Sequence, residues 1–295
     1  MVKDMKYRTS SFVHDGNRLV YDVYGESGPL LVYIHGLLID SDVNRGIADA
    51  LAAKGHQVVL VDLLGHGRSD KPTHASEYRI DTYAEQVFGL LDELGADEAV
   101  LGGMSLGANV SLFAASQHPD RVKGLVLEMP VLEWAVPSAA LLFVPLLLLA
   151  HYARSVHGLI AAGLRRLPST RSTGIDSLVH GASLPPEVMS AMLHGVLVGP
   201  VAPTQEARAA IQVPTLVLAH SNDLIHPFDD AVNLAKQMPN ARLVRARSPL
   251  ELRLRPERLT DVVGVFLDEV WAEPTSRPRI DPSVPLEQPE PSHER

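Results

Sequence analysis

The chain has 295 residues, no cysteine and a formal net charge of −9. Without cysteine there is no disulfide framework, thiol nucleophile or thiolate metal site. A mildly acidic chain also lacks the concentrated basic face that a phosphate backbone requires, which argues against nucleic acid as a partner. The length suits one large α/β domain, or one domain carrying an insertion.

Residues 11–24 read as a hairpin, with SFVHD and the alternating RLVYDVYG joined by a turn at Asp15-Gly16-Asn17. Residues 30–34 are continuously apolar, the pattern of a strand buried on both faces, and His35-Gly36-Leu37-Leu38 closes it. A helix is expected over 42–54, with Gly55 as its C-terminal cap. Residues 58–61 form the next buried strand. The turn after it, Asp62 to Pro72, holds Gly65 and Gly67 but Asp70 where a third glycine would complete G-x-G-x-x-G, so a dinucleotide site is not expected. An amphipathic helix follows over 81–95, carrying Tyr83, Val87, Leu90, Leu91 and Leu94 at helical spacing.

The organising stretch is 99–115, AVLGGMSLGANVSLFAA: an apolar strand, a turn with Ser105 at its apex, then a helix. Glycines at 103 and 107 answer a steric need, because a β-carbon at either place would collide with the neighbouring strand or helix. Such a turn lifts the Ser105 hydroxyl out of the sheet and aims the first N–H groups of the helix at whatever sits there. The bland alternative is a chance G-x-S-x-G; the strand before and the helix after give the motif its weight.

Another buried strand is expected over 124–127. From about 129 to 211 the alternation of strand and helix stops, and the sequence becomes helical in pattern and rich in Leu, Ala and Pro. Its run 134–150, WAVPSAALLFVPLLLLA, is shorter than the roughly 20 residues of a spanning helix and is broken by Pro137 and Pro145. It reads as an apolar helix within a soluble protein, with no membrane span. Alternation resumes with a strand at 213–219, a helix at 228–237, a strand at 242–246 and a helix at 257–271, implying a mostly parallel sheet with helices on both faces. Residues 272–295 are proline-rich and charged, and are expected to be disordered. The N-terminal residues lack the apolar core of a signal peptide, so a cytoplasmic location is expected.

These marks together resemble the α/β-hydrolase superfamily over about residues 12–271. They are His35-Gly36 after the third strand, the 62–72 turn, the elbow around Ser105, and Asp223 just past the strand ending near Ala219. The resemblance implies an eight-stranded, mostly parallel α/β sheet formed by 1–129 and 212–271, with 130–211 as a helical cap. It implies Ser105 as nucleophile, the N–H groups of Leu37 and Leu106 as oxyanion hole, Asp223 as the acid, and no cofactor or metal. Dehalogenases and epoxide hydrolases of this fold use an aspartate at the elbow, so Ser105 points away from both.

One part of the family pattern is missing. A serine hydroxyl needs a base, and the family places a histidine in the loop after the last strand. Here that loop, 247–256, holds none. Three readings stay open. His226, three residues past Asp223, serves as base, or else it is an ordinary loop histidine capping the next helix. A cap histidine among His151, His157, His180 and His194 closes over Ser105, although lone histidines on apolar helices mostly pack or face solvent. Or the triad is incomplete, and the protein is a slow hydrolase, a lyase or C–C hydrolase, or a ligand-binding member.

The remaining candidates have bland roles. His35 is expected to bond backbone, and Asp62, His66 and Ser69 to build their turn. Glu128 is read as a cap in preference to an alternative acid, and Arg253 and Arg255 as a solvated face. The leucine-rich insertion, with Phe143, Met189, Met192 and Leu193, predicts a lipophilic small-molecule substrate, most simply an ester or related acyl compound. Oligomeric state is not legible.

Overall fold

The computed structural model describes residues 7–170, 172–221, 223 and 225–272. The proline-rich segment expected to be disordered lies, Ala272 apart, outside the described residues. The expected hairpin is β1 (Arg8–His14) and β2 (Asn17–Tyr24), turning through Asp15 and Gly16, both at positive φ. The continuously apolar runs become β3 (Leu30–Ile34) and β4 (Gln57–Asp62), with every residue of β3 buried. The helix expected over 42–54 starts differently. Asp40 caps a short 3₁₀ turn, Ser41–Asn44, by accepting the Asp42 N–H, and only then does α1 (Arg45–Ala52) begin.

Further along come α2 (Ile80–Leu94), β5 (Ala99–Met104), α3 (Leu106–Gln117) and β6 (Val122–Glu128). Between β6 and the next strand the chain makes five helices, α4 (Val136–Tyr152), α5 (Arg154–Leu164), α6 (Thr173–Ala182), α7 (Pro186–Val198) and α8 (Gln205–Ala210). The alternating pattern then returns as β7 (Thr215–Ala219), α9 (Phe228–Gln237), β8 (Ala241–Arg245), a single turn α10 (Glu251–Leu254), and α11 (Glu257–Trp271).

The eight strands form one sheet in the order β1-β2-β4-β3-β5-β6-β7-β8. β1 and β2 are antiparallel, as are β2 and β4, and every later pairing is parallel. Alternate side chains of the central strands feed two cores. One lies under α2, α3 and the inserted helices; the other packs Tyr33, Val100, Val126 and Leu216 against α1 and α11. Two-sided burial is why these strands are apolar throughout.

The inserted helices lie on the loops that leave the parallel strands: α7 packs on the turn at Ala75–Tyr78 and on α4, with its Met189, Met192 and Leu193 fully buried. These three belong to the seam between helix and core and do not line an open space. Among the inserted-helix residues read as substrate-facing, Phe143 alone is partly exposed. The start of the insertion is held by the Asp230 carboxylate of α9, which accepts the N–H groups of Leu132, Trp134 and Ala135. Asn109 of α3 ties the two ends together, donating to the carbonyl of Val131 at the start and to that of Val201 near the far end. No single described helix is long and apolar enough to cross a membrane.

Candidate active site

Ser105 stands between β5 and α3 with φ 53° and ψ −111°, a conformation that costs a non-glycine residue of order 1–3 kcal/mol. The strain persists because the surroundings fix it. Its N–H donates to the Glu128 carbonyl of β6 at 2.8 Å, and a β-carbon at Gly103 or Gly107 would lie 2.5 Å or 2.4 Å from the Ile34 carbonyl oxygen of β3. The sequence expectation for both glycines therefore holds for a stated reason, a backbone approach that leaves no room for a side chain.

The Ser105 Oγ faces an imidazole. His226 Nε2 lies 2.9 Å from it, and His226 Nδ1 lies 2.9 Å from Asp223 Oδ2. A carboxylate only accepts, so Nδ1 carries the proton and Nε2 offers its lone pair to the hydroxyl. This histidine lies three positions past Asp223, and local backbone chemistry makes so short a span workable. Asp223 Oδ1 accepts the N–H groups of Ile225 at 2.8 Å and His226 at 3.1 Å, an Asx-type turn that curls the chain back on itself. The ring of residue 226 thus returns to the carboxylate its own backbone is bonded to, and Pro227 starts α9 directly after.

Burial alone would raise the Asp223 pKa, but the bond from the His226 ring, the N–H groups of Ile225 and His226, and the positive charge available on His226 outweigh it. The carboxyl is held well below the usual carboxylate range. A second imidazole, Nε2 of His220, sits 3.2 Å from the same Oδ2, a neighbour that the sequence did not single out.

Two of the four other histidines weighed as bases are engaged elsewhere: His151 Nδ1 meets Ser190 Oγ at 3.1 Å, and His180 Nδ1 meets Asp40 Oδ2 at 2.9 Å. The loop after β8, where the family pattern puts a histidine, sends Arg253 inward. Arg253 pairs with Glu128 and donates to Asn44 Oδ1 at 2.9 Å, while Tyr33 donates to Glu128 at 2.6 Å. Both charged side chains are buried. This corrects two expectations, Arg253 as a solvated face and Glu128 as a cap. The leucines flanking Arg253 carry no trace of a partner 125 residues away in sequence.

Beside Ser105 runs the loop from β3. His35 Nδ1 donates to the Gly36 carbonyl at 2.8 Å and its Nε2 accepts the Leu63 N–H at 3.1 Å, the backbone role expected of it. His66 does more than build its turn. Its Nδ1 donates to the Leu64 carbonyl at 3.1 Å, and its Nε2 accepts the N–H of Leu38, a residue at φ 59°, at 3.3 Å. Burial lowers the pKa of both rings, and the neighbouring His35 lowers that of His66 further, so both stay neutral acceptors. The N–H of Leu38 is thereby engaged, next to Leu37. Across the elbow, Leu106 opens α3, in the first turn where N–H groups have no intrahelical acceptor.

Helix α6 bears directly on this loop. A β-carbon at Gly181 would lie 1.7 Å from the Leu38 carbonyl oxygen, and Ser177 Oγ accepts the Asp40 N–H at 2.7 Å. A cavity of about 450 Å³ opens where α6 meets the 62–71 turn, lined by Asp40, Asp42, Arg68, Lys71, Arg165 and His180 among others. Ser105, His226 and Asp223 do not line it. No group of three or more His, Asp or Glu side chains among the described residues is placed to hold a metal.

An eight-stranded, mostly parallel sheet with a serine elbow at the end of its fifth strand defines a class of protein, and comparison with known families bears this out. Residues 29–248 match the family model of the alpha/beta hydrolase fold, and the chain belongs to that family. It is 40% identical to epoxide hydrolase B of Mycobacterium tuberculosis over 101 residues, 34% of this chain and 28% of that one. It is 38% identical to a 2-(acetamidomethylene)succinate hydrolase of Mesorhizobium japonicum over 100 residues, covering 34% of this chain and 35% of that one. A haloalkane dehalogenase of Mycobacterium marinum is 33% identical over 156 residues, 51% of this chain and 52% of that one. The matches thus span roughly a third to a half of these relatives. Among solved structures, the enol-lactonase from Burkholderia xenovorans LB400 superposes with a TM-score of 0.70 at 24% identity, covering 88% of this chain and 99% of the other, a likeness of fold.

Proposed function

We propose that the protein is a serine hydrolase that cleaves an ester or related acyl bond in a lipophilic small molecule through an acyl-enzyme on Ser105. The observation that carries this reading is the chain of two 2.9 Å contacts from Ser105 through His226 to Asp223. His226 takes the hydroxyl proton on Nε2 as Oγ attacks the carbonyl carbon. Asp223, held ionised, fixes the tautomer and stabilises the imidazolium that forms. The developing oxyanion is met by the N–H groups of Leu37 and Leu106, one from a loop braced by His66 and the other from the start of α3. His226 then returns the proton to the leaving alkoxide, and a water activated by the same ring releases the acid.

Ser105 stands where the related dehalogenases and epoxide hydrolases are expected to carry an aspartate, which supports acyl chemistry over theirs. The inserted helices act as the cap, and their partly buried Phe143, Leu146 and Leu147, packed in the same apolar cluster as Leu37 and Leu38, favour an apolar acyl or alkyl group. Labelling with a fluorophosphonate probe tests the mechanism. The native chain is expected to label, and Ser105→Ala and His226→Ala are expected not to. Labelling that survives in His226→Ala would move the base elsewhere, and none in the native chain would favour a ligand-binding role. In a nitrophenyl ester series, kcat/KM highest on short, strongly polar esters would refute the lipophilic assignment.

A further inference from the structure

Eleven of the nineteen exposed large apolar side chains among the described residues fall within residues 134–167, which comprise the turn into α4, the helices α4 and α5, and the turn after α5. On α4 they recur at Leu141, Val144, Leu148 and Tyr152, three or four residues apart, so they share one helical face. Leu141 and Tyr152 are 80% and 78% exposed. On α5, Val156, Leu159 and Ile160 continue the pattern, with Leu159 at 74%. Isolated exposed leucines need no explanation, but a concentration of this kind marks a surface that meets something apolar.

The geometry points to what that is. The two helices are bent by 108° at Ala153, and α4, with Pro145 inside it, spans about 25 Å, short of a hydrocarbon core of about 30 Å. The pair cannot cross a bilayer as one rod, yet it presents an apolar elbow to the outside. Along its own stretch of chain the charge is one-signed, and the exposed Glu187 of α7 is a carboxylate from a neighbouring element that acts on His157 of α5. Between Glu133 and Asp176 the sequence has no acidic residue and four arginines, Arg154, Arg165, Arg166 and Arg171, in a chain whose net charge is −9. Arg154 and Arg166 are exposed. A second copy seated on this elbow by a two-fold contact would set arginines against arginines. A bilayer bearing anionic headgroups instead takes the apolar side chains into its acyl boundary and the guanidinium groups onto its phosphates.

We propose that the α4–α5 elbow seats this protein on the surface of an anionic lipid bilayer, lying in the interface without spanning it. This goes beyond the hydrolase assignment and does not depend on it, so the test uses the full chain carrying Ser105→Ala. Of the two tryptophans, Trp134 is exposed at the entrance to α4. In a Trp271→Phe background its emission is expected to shift to the blue on adding vesicles of phosphatidylcholine with phosphatidylglycerol, and to be quenched by brominated lipid. Co-sedimentation with the mixed vesicles is expected to exceed that with pure phosphatidylcholine about tenfold, and to weaken as salt rises. Leu148→Asp with Leu159→Asp is expected to lower the partition roughly 100-fold, and Arg154→Gln or Arg166→Gln about fivefold each, with unchanged circular dichroism. The proposal is overturned if Trp134 emission ignores mixed vesicles, or if the paired Asp variant binds as tightly as the parent. It is equally overturned if the chain self-associates without binding vesicles and that variant disperses it, which would assign the face to a second copy. Should the paired Asp variant fail to fold, the Trp134 response of the parent still decides.

Discussion

Replacing Gly107 with alanine should separate two quantities that usually move together, stability and rate. The added β-carbon would lie 2.4 Å from the Ile34 carbonyl oxygen, 2.7 Å from its carbonyl carbon and 2.9 Å from the His35 carbonyl oxygen. Ordinary contact needs about 3.5 Å, so the end of β3 or the start of α3 must retreat by about 1 Å, and all three contacts are backbone, which cannot swing aside. Overpacking of this kind costs about 1–3 kcal/mol. At roughly 2–4 °C per kcal/mol for a chain of this size, the melting temperature should fall by about 2–12 °C. The part displaced is the junction of Ile34 with His35-Gly36-Leu37, which carries one proposed oxyanion donor, and a 1 Å misplacement there is worth about 100-fold in rate. We therefore expect a protein still folded at 25 °C that has lost about 100-fold or more in kcat on a nitrophenyl ester. Gly158→Ala in α5, where a β-carbon meets nothing within 4 Å, is the control: it should leave the rate alone and raise stability by about 0.5–1 kcal/mol. A Gly107→Ala protein with native melting temperature and native kcat would refute the steric account of the elbow.

Ser105→Ala and His226→Ala should each lower kcat by about 10⁴-fold or more, with little further loss in the double variant, because the two residues act as one unit; losses that multiply would disprove the unit. His35 and His66 are kept neutral by burial, so their folded pKa values lie below the roughly 6.5 of the unfolded chain. Their contribution to stability is complete above about pH 6.5 and is lost as pH falls below it, by about 1.4 kcal/mol per pH unit for each ring that stays neutral. Urea midpoints that hold level between about pH 7 and about pH 5.5 would contradict this. Arg253→Leu strands the buried Glu128 carboxylate and should cost about 3–5 kcal/mol in chemical denaturation, with part of the loss recovered by adding Glu128→Gln. No recovery in the double variant would mean that Arg253 matters for its packing and not for its charge.

Much of this molecule is written locally. The buried strands announce themselves as unbroken apolar runs, because a parallel strand covered on both faces has no position for a polar side chain. The elbow is legible because two glycines flank one serine for a steric reason that operates within a few residues. Asp223 is legible because it follows a recognisable strand. The proposed base is a different matter. Composition and spacing leave His226 and four histidines of the insertion in contention, and three residues looks too short a span for an acid and its base. The Asx-type turn on Asp223 removes that difficulty, and no periodicity encodes it.

The same holds for the Arg253–Glu128 pair, for His66 on the Leu38 N–H, and for Met189, Met192 and Leu193, which a helical pattern marks as apolar without saying whether they face a ligand or a core. Sequence determines what each segment prefers to do alone: extend, coil, turn or stay greasy. Which imidazole reaches Ser105, which charges meet inside, and which greasy face is left uncovered depend on contacts between residues dozens to more than a hundred positions apart. Those contacts exist only once the sheet has closed and the inserted helices have come to rest on the loops that leave it.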